Sequence, residues 1–141
     1  MASKRFDLGR MAAIYAGGVV GALARVGLAE AAPHGATSWP WATFAANLVG
    51  AFLLGFLVAA MSGPREHSRA FALFTTGFCG TLTTFATLQL ELYEMVDSGS
   101  VGLALAYAAA TIAAGLLLLH AGLLLGSGSF LSDSDRKEPG R

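Results

Sequence analysis

Charge is what this chain has least of. Only 13% of its 141 residues are Asp, Glu, Lys or Arg, about half the ~25% of an average soluble domain. Nine basic and nine acidic residues cancel, so no surplus of positive charge is available to hold a nucleic acid. A single cysteine, Cys79, excludes an internal disulfide and a cysteine-built metal cage. It lies in an apolar segment and reads as an inert, packed thiol. The three histidines, His34, His67 and His120, are too scattered for a zinc site. With no nucleophile–base pair and no ligand cluster, an enzyme is not expected.

What the chain has instead is apolar sequence. Hydrophobic residues make up 55% and the mean hydropathy is +0.60. Together with the length, this predicts one all-α membrane domain of four transmembrane helices, over residues 1–126. The spans are drawn at about 11–32, 41–61, 71–96 and 101–125, each near or above the ~20 residues that cross a bilayer core. Breaks at Pro33-His34-Gly35, Ser62-Gly63-Pro64 and Asp97-Ser98-Gly99 separate them. The first apolar run continues past a signal-peptide core and reads as a retained span. Residues 127–141 are rich in Ser, Gly and charge and read as a disordered tail.

Small residues recur every fourth position: Ala13, Gly17 and Gly21 in the first span, Ala51 and Gly55 in the second, Ala106, Ala110 and Ala114 in the fourth, then Gly122 and Gly126. Such faces let helix backbones approach closely in lipid. They predict a tight bundle and an oligomer. Trp39 and Trp41, at the start of the second span, suit a membrane–water interface.

Four spans put both termini and the middle loop on one side. That side carries Lys4, Arg5, Arg10, Arg65, Arg69, Arg136, Lys137 and Arg141, whereas the other loops carry no Lys or Arg. The positive-inside rule predicts both termini in the cytoplasm and a single orientation in the cell membrane.

The polar exception to this plan lies inside the third span. Thr75 to Glu91 contains six threonines, with Gly77 and Gly80 loosening the helix. A helix broken in mid-membrane leaves backbone groups unpaired unless protein or a wet cavity satisfies them, so the stretch reads as an ion or substrate site. The bland reading is a continuous helix whose threonines bond their own carbonyls. Asn47, in the second span, marks either an interhelical contact or a pathway. Phe85 either packs or turns its electropositive ring edge to an anion. Tyr107 and Thr111, one turn apart, are either interhelical glue or a hydroxyl track. Glu91 sits toward a vestibule mouth, Glu94 in solvent. Arg25 either snorkels outward or caps carbonyls of a neighbouring helix, and His120 packs or lies at the interface.

Three stretches, Gly-Gly-Val-Val-Gly-Ala-Leu-Ala-Arg at 17–25, Asn-Leu-Val-Gly-Ala-Phe-Leu-Leu-Gly at 47–55 and Thr-Thr-Gly-Phe-Cys-Gly-Thr-Leu-Thr-Thr-Phe at 75–85, followed by Glu91 and Tyr107, resemble the fluoride channels of the Fluc (CrcB) family. The resemblance covers nearly all four spans. It implies a passive fluoride channel that relieves the cytoplasm of the anion, built as an antiparallel dimer with two pores and a structural sodium ion at its centre. By position it implies that Asn47 donates to fluoride and that Phe85 offers a ring edge. Thr84, Thr87, Tyr107, Thr111 and Glu91 belong to the pathway. The backbone carbonyls of Gly80 and Thr83 would hold Na+, and Arg25 would be structural. The cofactor implied is Na+; the partners are fluoride, membrane lipid and a second chain.

Two departures matter. Ala86 replaces the family's serine, and Leu88 stands where a second pore phenylalanine belongs. Leucine has no electropositive edge, so a pore built on it should conduct poorly. A chain that inserts one way also needs an oppositely oriented paralogue to complete an antiparallel pair, which predicts a heterodimer. Two rivals are a four-span drug/proton antiporter, which wants a carboxylate in mid first span where only Glu30 lies near its end, and a non-conducting partner subunit.

Overall fold

The protein is described by a computed structural model over residues 7–63 and 68–135, with side chains to residue 128. The basic residues Lys4, Arg5, Arg65, Arg136, Lys137 and Arg141 lie outside that range, as does the end of the expected tail.

The architecture is all-helical: α1 (Leu8–Ala31), α2 (Trp41–Ala60), α3 (Arg69–Phe71), a π-helical stretch (Ala72–Cys79), α4 (Gly80–Leu82), α5 (Phe85–Asp97) and α6 (Val101–Asp135). Four segments are long and apolar enough to cross a membrane: Leu8–Ala31, Trp41–Ala60, Arg69–Asp97 and Val101–Gly128. These match the four expected spans to within a few residues. The last helix runs on to Asp135, so residues 127–135 are helical rather than irregular. Nothing between Gly126 and Asp135 forbids that, because the only later proline is Pro139.

Helix ends follow local chemistry. Asp7 caps α1, its Oδ1 accepting from Gly9 N (3.0 Å) and Arg10 N (3.2 Å), where a carboxylate also meets the positive end of the helix dipole. Arg69 at the start of the third span lies 3.7 Å from the same carboxylate, so those two ends lie together. The α5–α6 turn places Gly99 at φ +81, a conformation glycine adopts without a Cβ clash. Ser98 Oγ of that turn donates to Ala36 O (3.4 Å), bringing the two Lys/Arg-free loops together at the opposite end.

Packing proceeds through two close pairings: α1 along the π-helical stretch, and α2 along α6. In the first, a Cβ at Gly17 would lie 2.1 Å from Leu73 O, and one at Gly77 2.6 Å from Ile14 O. In the second, a Cβ at Gly55 would meet Leu119 O at 2.2 Å, and one at Gly122 would meet Phe52 O at 2.3 Å. The expected small-residue faces on α1 and α2 are thus contact faces, as is the Gly122–Gly126 end of α6. Ala106, by contrast, is exposed.

The interior is small. Leu88, Met95, Ala104 and Tyr107 form its apolar centre, and only 11% of the α1 window is buried within the chain. Most of the large apolar side chains of α1 and α6 point outward, as the surface of a membrane-embedded protein requires.

Candidate functional site

The third span leaves the helix at Thr83–Thr84. Thr83 has ψ 150 and Thr84 has φ −148, ψ 122, both extended, before α5 begins at Phe85. The break falls three residues beyond Gly80, not at the glycines. Gly77 serves the contact with α1 instead, and the stretch around it is wound as a π-helix.

Asn47, on α2, satisfies the opened backbone. Its Oδ1 accepts from Thr84 N (2.8 Å) and its Nδ2 donates to Thr84 O (3.3 Å). One amide therefore replaces both backbone bonds that Thr84 forfeits. One turn further along α2, a Cβ at Gly50 would strike Thr83 Cγ2 at 2.3 Å, so α2 passes directly beneath the break. Thr84 then caps α5: its Oγ1 accepts from Thr87 N (3.2 Å) and lies 3.1 Å from Thr87 Oγ1.

These bonds have a consequence for two carbonyls. The helical donor for Gly80 O would be Thr84 N–H, which Asn47 takes; that for Thr83 O would be Thr87 N–H, which Thr84 Oγ1 takes. Gly80 itself is exposed, and a Cβ there would meet nothing nearer than Thr75 O at 3.9 Å. Arg25 reaches this end of α4, its Nε donating to Thr81 O (3.2 Å). Of its two expected roles, it takes the carbonyl-capping one. Thr81 Oγ1 lies within 2.9 Å of both Gly18 O and Gly77 O, tying α4 to α1.

Glu91 is not at an open mouth in this chain but 4% exposed. A carboxylate so buried needs donors, and it has three. Thr43 Oγ1 (2.5 Å) and His34 Nε2 (3.2 Å) face Oε1, while Tyr107 OH (2.8 Å) donates to Oε2. Tyr107 is fully buried, its ring set edge-on to Trp39 at 5.3 Å.

A groove of about 430 Å³ runs along the break between α2 and α6. Asn47, Thr83, Thr84, Phe85, Leu88 and Thr111 all line it. Phe85 is 72% exposed at its rim, so it does not pack within the chain. Leu88 is buried beneath. Among the described residues, Thr111 Oγ1 and Trp39 Nε1 are buried without a well-formed hydrogen bond, Thr111 lying beside the Tyr107 hydroxyl.

Thr43, His34, Thr81 and Trp39 were not singled out for the site from the sequence. Thr43 had a usable signal, since it lies one turn before Asn47 on the same face. His34 had none, because its partner is 57 residues away. Among the described residues no group of three His, Cys, Asp or Glu side chains could hold a metal ion.

Residues 12–123 match the family described as CrcB-like protein, Camphor Resistance (CrcB). A protein of Mycolicibacterium paratuberculosis named fluoride-specific ion channel FluC 1 is 45% identical over 116 residues, covering 81% of this chain and 87% of the relative. Its namesake in Mycobacterium bovis is 43% identical over 121 residues, covering 84% and 91%. Fluoride-specific ion channel FluC of Chlorobaculum tepidum is 43% identical over 113 residues, covering 79% and 90%.

Proposed function

The chain belongs to the CrcB family, a family of membrane ion channels rather than enzymes, and from that premise we propose that it is a fluoride-specific channel subunit through which the anion leaves the cytoplasm passively. The observation that carries the reading is the Asn47–Thr84 pair at the broken third span. It sets the Asn47 amide and the Thr84 hydroxyl, itself bonded to Thr87, beside the exposed ring of Phe85 in one groove.

Fluoride crosses hydrocarbon only where fixed groups replace its water shell, so the pathway must present donors in sequence. Asn47 Nδ2 and the Thr84 and Thr87 hydroxyls supply them at the break. Thr111 Oγ1, buried and without a well-formed hydrogen bond among the described residues, supplies another one helix away. A buried hydroxyl without a partner costs about 1–3 kcal/mol, and an anion in the groove would offset that cost. Tyr107 holds its proton toward Glu91, which keeps that carboxylate's charge paired as the ion passes.

The second chain and the sodium ion belong to the same proposal. Gly80 and Thr83 carbonyls, deprived of their helical donors, are the hard oxygen ligands a monovalent cation takes. Gly80 faces outward, which suits an ion shared between two copies in antiparallel arrangement. Leu88 and the one-sided Lys/Arg bias favour a heterodimer with an oppositely oriented paralogue.

Fluoride efflux from proteoliposomes of the purified chain tests the proposal, with chloride efflux as the comparison. Where Leu88→Phe or a co-expressed partner completes the pore, fluoride should pass and chloride should not, and exchanging sodium for a bulky organic cation should lower the flux. Equal passage of both halides would remove the reading. Robust efflux from the chain alone would count against the heterodimer; there the gain should appear only with Leu88→Phe or a co-expressed partner.

A further inference from the structure

His34 lies in the loop between α1 and α2, and that loop is tied down. Gly35 N donates to Ser38 Oγ (3.0 Å), Ser38 Oγ returns to Gly35 O (3.0 Å), and Ala36 O accepts from Ser98 of the α5–α6 turn (3.4 Å). The loop thereby carries the His34 ring onto Glu91, with Nε2 3.2 Å from Oε1 and Nδ1 3.4 Å from Gly35 O. The ring is 22% exposed and the carboxylate 4%, so His34 is the wetter member of the pair.

Both ring nitrogens face oxygen acceptors. A neutral imidazole has one N–H and serves one of them, whereas the imidazolium serves both. The loops at this end, residues 32–40 and 98–100, contain no Lys or Arg. His34 is therefore the only side chain in them able to carry positive charge.

We propose that His34 is a positioning residue for Glu91, fixing the carboxylate toward Thr43 and Tyr107 and, when protonated, cancelling its buried charge one turn along α5 from groove-lining Leu88, so that fluoride flux rises as the ring gains its proton. The proposal rests on the fluoride-channel reading and adds to it a pH-dependent control. From α5 the ring meets Glu91, and through that carboxylate Tyr107 from α6. Glu30 of α1 and Tyr93, Glu94 and Asp97 of α5 are the other ionisable side chains at this end among the described residues, and none is an ion-pair or hydrogen-bond partner of the ring.

Fluoride efflux is followed between about pH 6 and pH 8, where imidazole changes charge, with leakage through protein-free vesicles subtracted. Whatever flux the unmodified chain carries should rise roughly threefold toward the acid end, about one thermal energy of local potential. His34→Gln keeps a donor for the carboxylate but cannot titrate, so its flux should be flat across the range. The loss caused by His34→Ala should largely vanish in a Glu91→Gln background, because the partner is already gone. A His34→Gln profile parallel to the unmodified one, or an undiminished His34→Ala effect in that background, overturns the proposal. If the chain passes no fluoride at any pH, it is the channel reading that fails for the chain alone. The pair is then read directly from the ring ¹⁵N signals of His34, assigned by their loss in His34→Gln. Movement of those signals on Glu91→Gln supports the pairing, and signals that stay in place refute it.

Discussion

Asn47 and Thr111 stand on opposite sides of one groove and in opposite states. Asn47 is engaged through both polar atoms, giving one of its two N–H groups to Thr84 O and accepting Thr84 N–H; Thr111 Oγ1 makes no well-formed hydrogen bond among the described residues. Their truncations should separate stability from flux. Asn47→Ala strands an amide and a carbonyl of Thr84, at about 1–3 kcal/mol each. It should lower the thermal unfolding temperature in detergent and abolish fluoride efflux together. Thr111→Val keeps the shape and removes a hydroxyl that makes no well-formed hydrogen bond among the described residues. It should leave the unfolding temperature unchanged or raised, by about 1 kcal/mol of stability, while fluoride efflux falls. If Thr111→Val leaves flux untouched, that hydroxyl is not on the path.

At the scale of elements, the third span is the unusual one, because it changes winding before it breaks. The π-helical stretch Ala72–Cys79 presents Gly77 to α1, and α1 answers with Gly17. Backbones at this distance leave no room for a side chain. Gly17→Val places its branch against Leu73 O, 2.1 Å from where even a Cβ would lie, and should cost about 1–3 kcal/mol through forced separation of the two helices. Gly27→Ala is the control on the same helix, since nothing lies within 4 Å of a Cβ there. Its thermal midpoint should equal or exceed that of the unmodified chain, alanine being the better helix former. Equal losses for both variants would mean that the glycine contact does not hold α1 in place.

For the whole molecule, the two ends of the bundle differ in charge, and that difference sets its orientation in the bilayer. Arg10 and Arg69 share one end, beside Asp7, and the loops tied by Ser98 and Ala36 form the other. With that second end outside, Ser98→Cys should react with an impermeant maleimide on intact cells, and Ser127→Cys only after lysis. The native Cys79 is buried and should give little background. Labelling of both sites in intact cells would mean that the chain inserts in both orientations, and the argument for an oppositely oriented partner would lapse. The wide apolar surface of α1 and α6 is compatible with lipid or a second chain, and the position of outward-facing Gly80 favours the second chain at the break.

Span number, order and approximate ends were legible in the chain because apolar run length and turn residues are local properties that add up along a helix. The same holds for the glycine faces of α1 and α2 and for the charge difference between the two ends. The break was legible as a threonine-rich anomaly but was not assigned to Thr83–Thr84, since glycines are the commoner sign of loosened helix. Its place depends on α2 passing beneath Thr83 at Gly50 and on Asn47 meeting Thr84, 37 residues away. Glu91 shows the same limit: the sequence places it toward a vestibule mouth, yet Thr43, Tyr107 and His34 enclose it. Those donors come from three separate parts of the chain. No local pattern encodes such a meeting; it follows from how closely the helices pack and at what height they cross, and that is set by contacts between residues far apart in the chain.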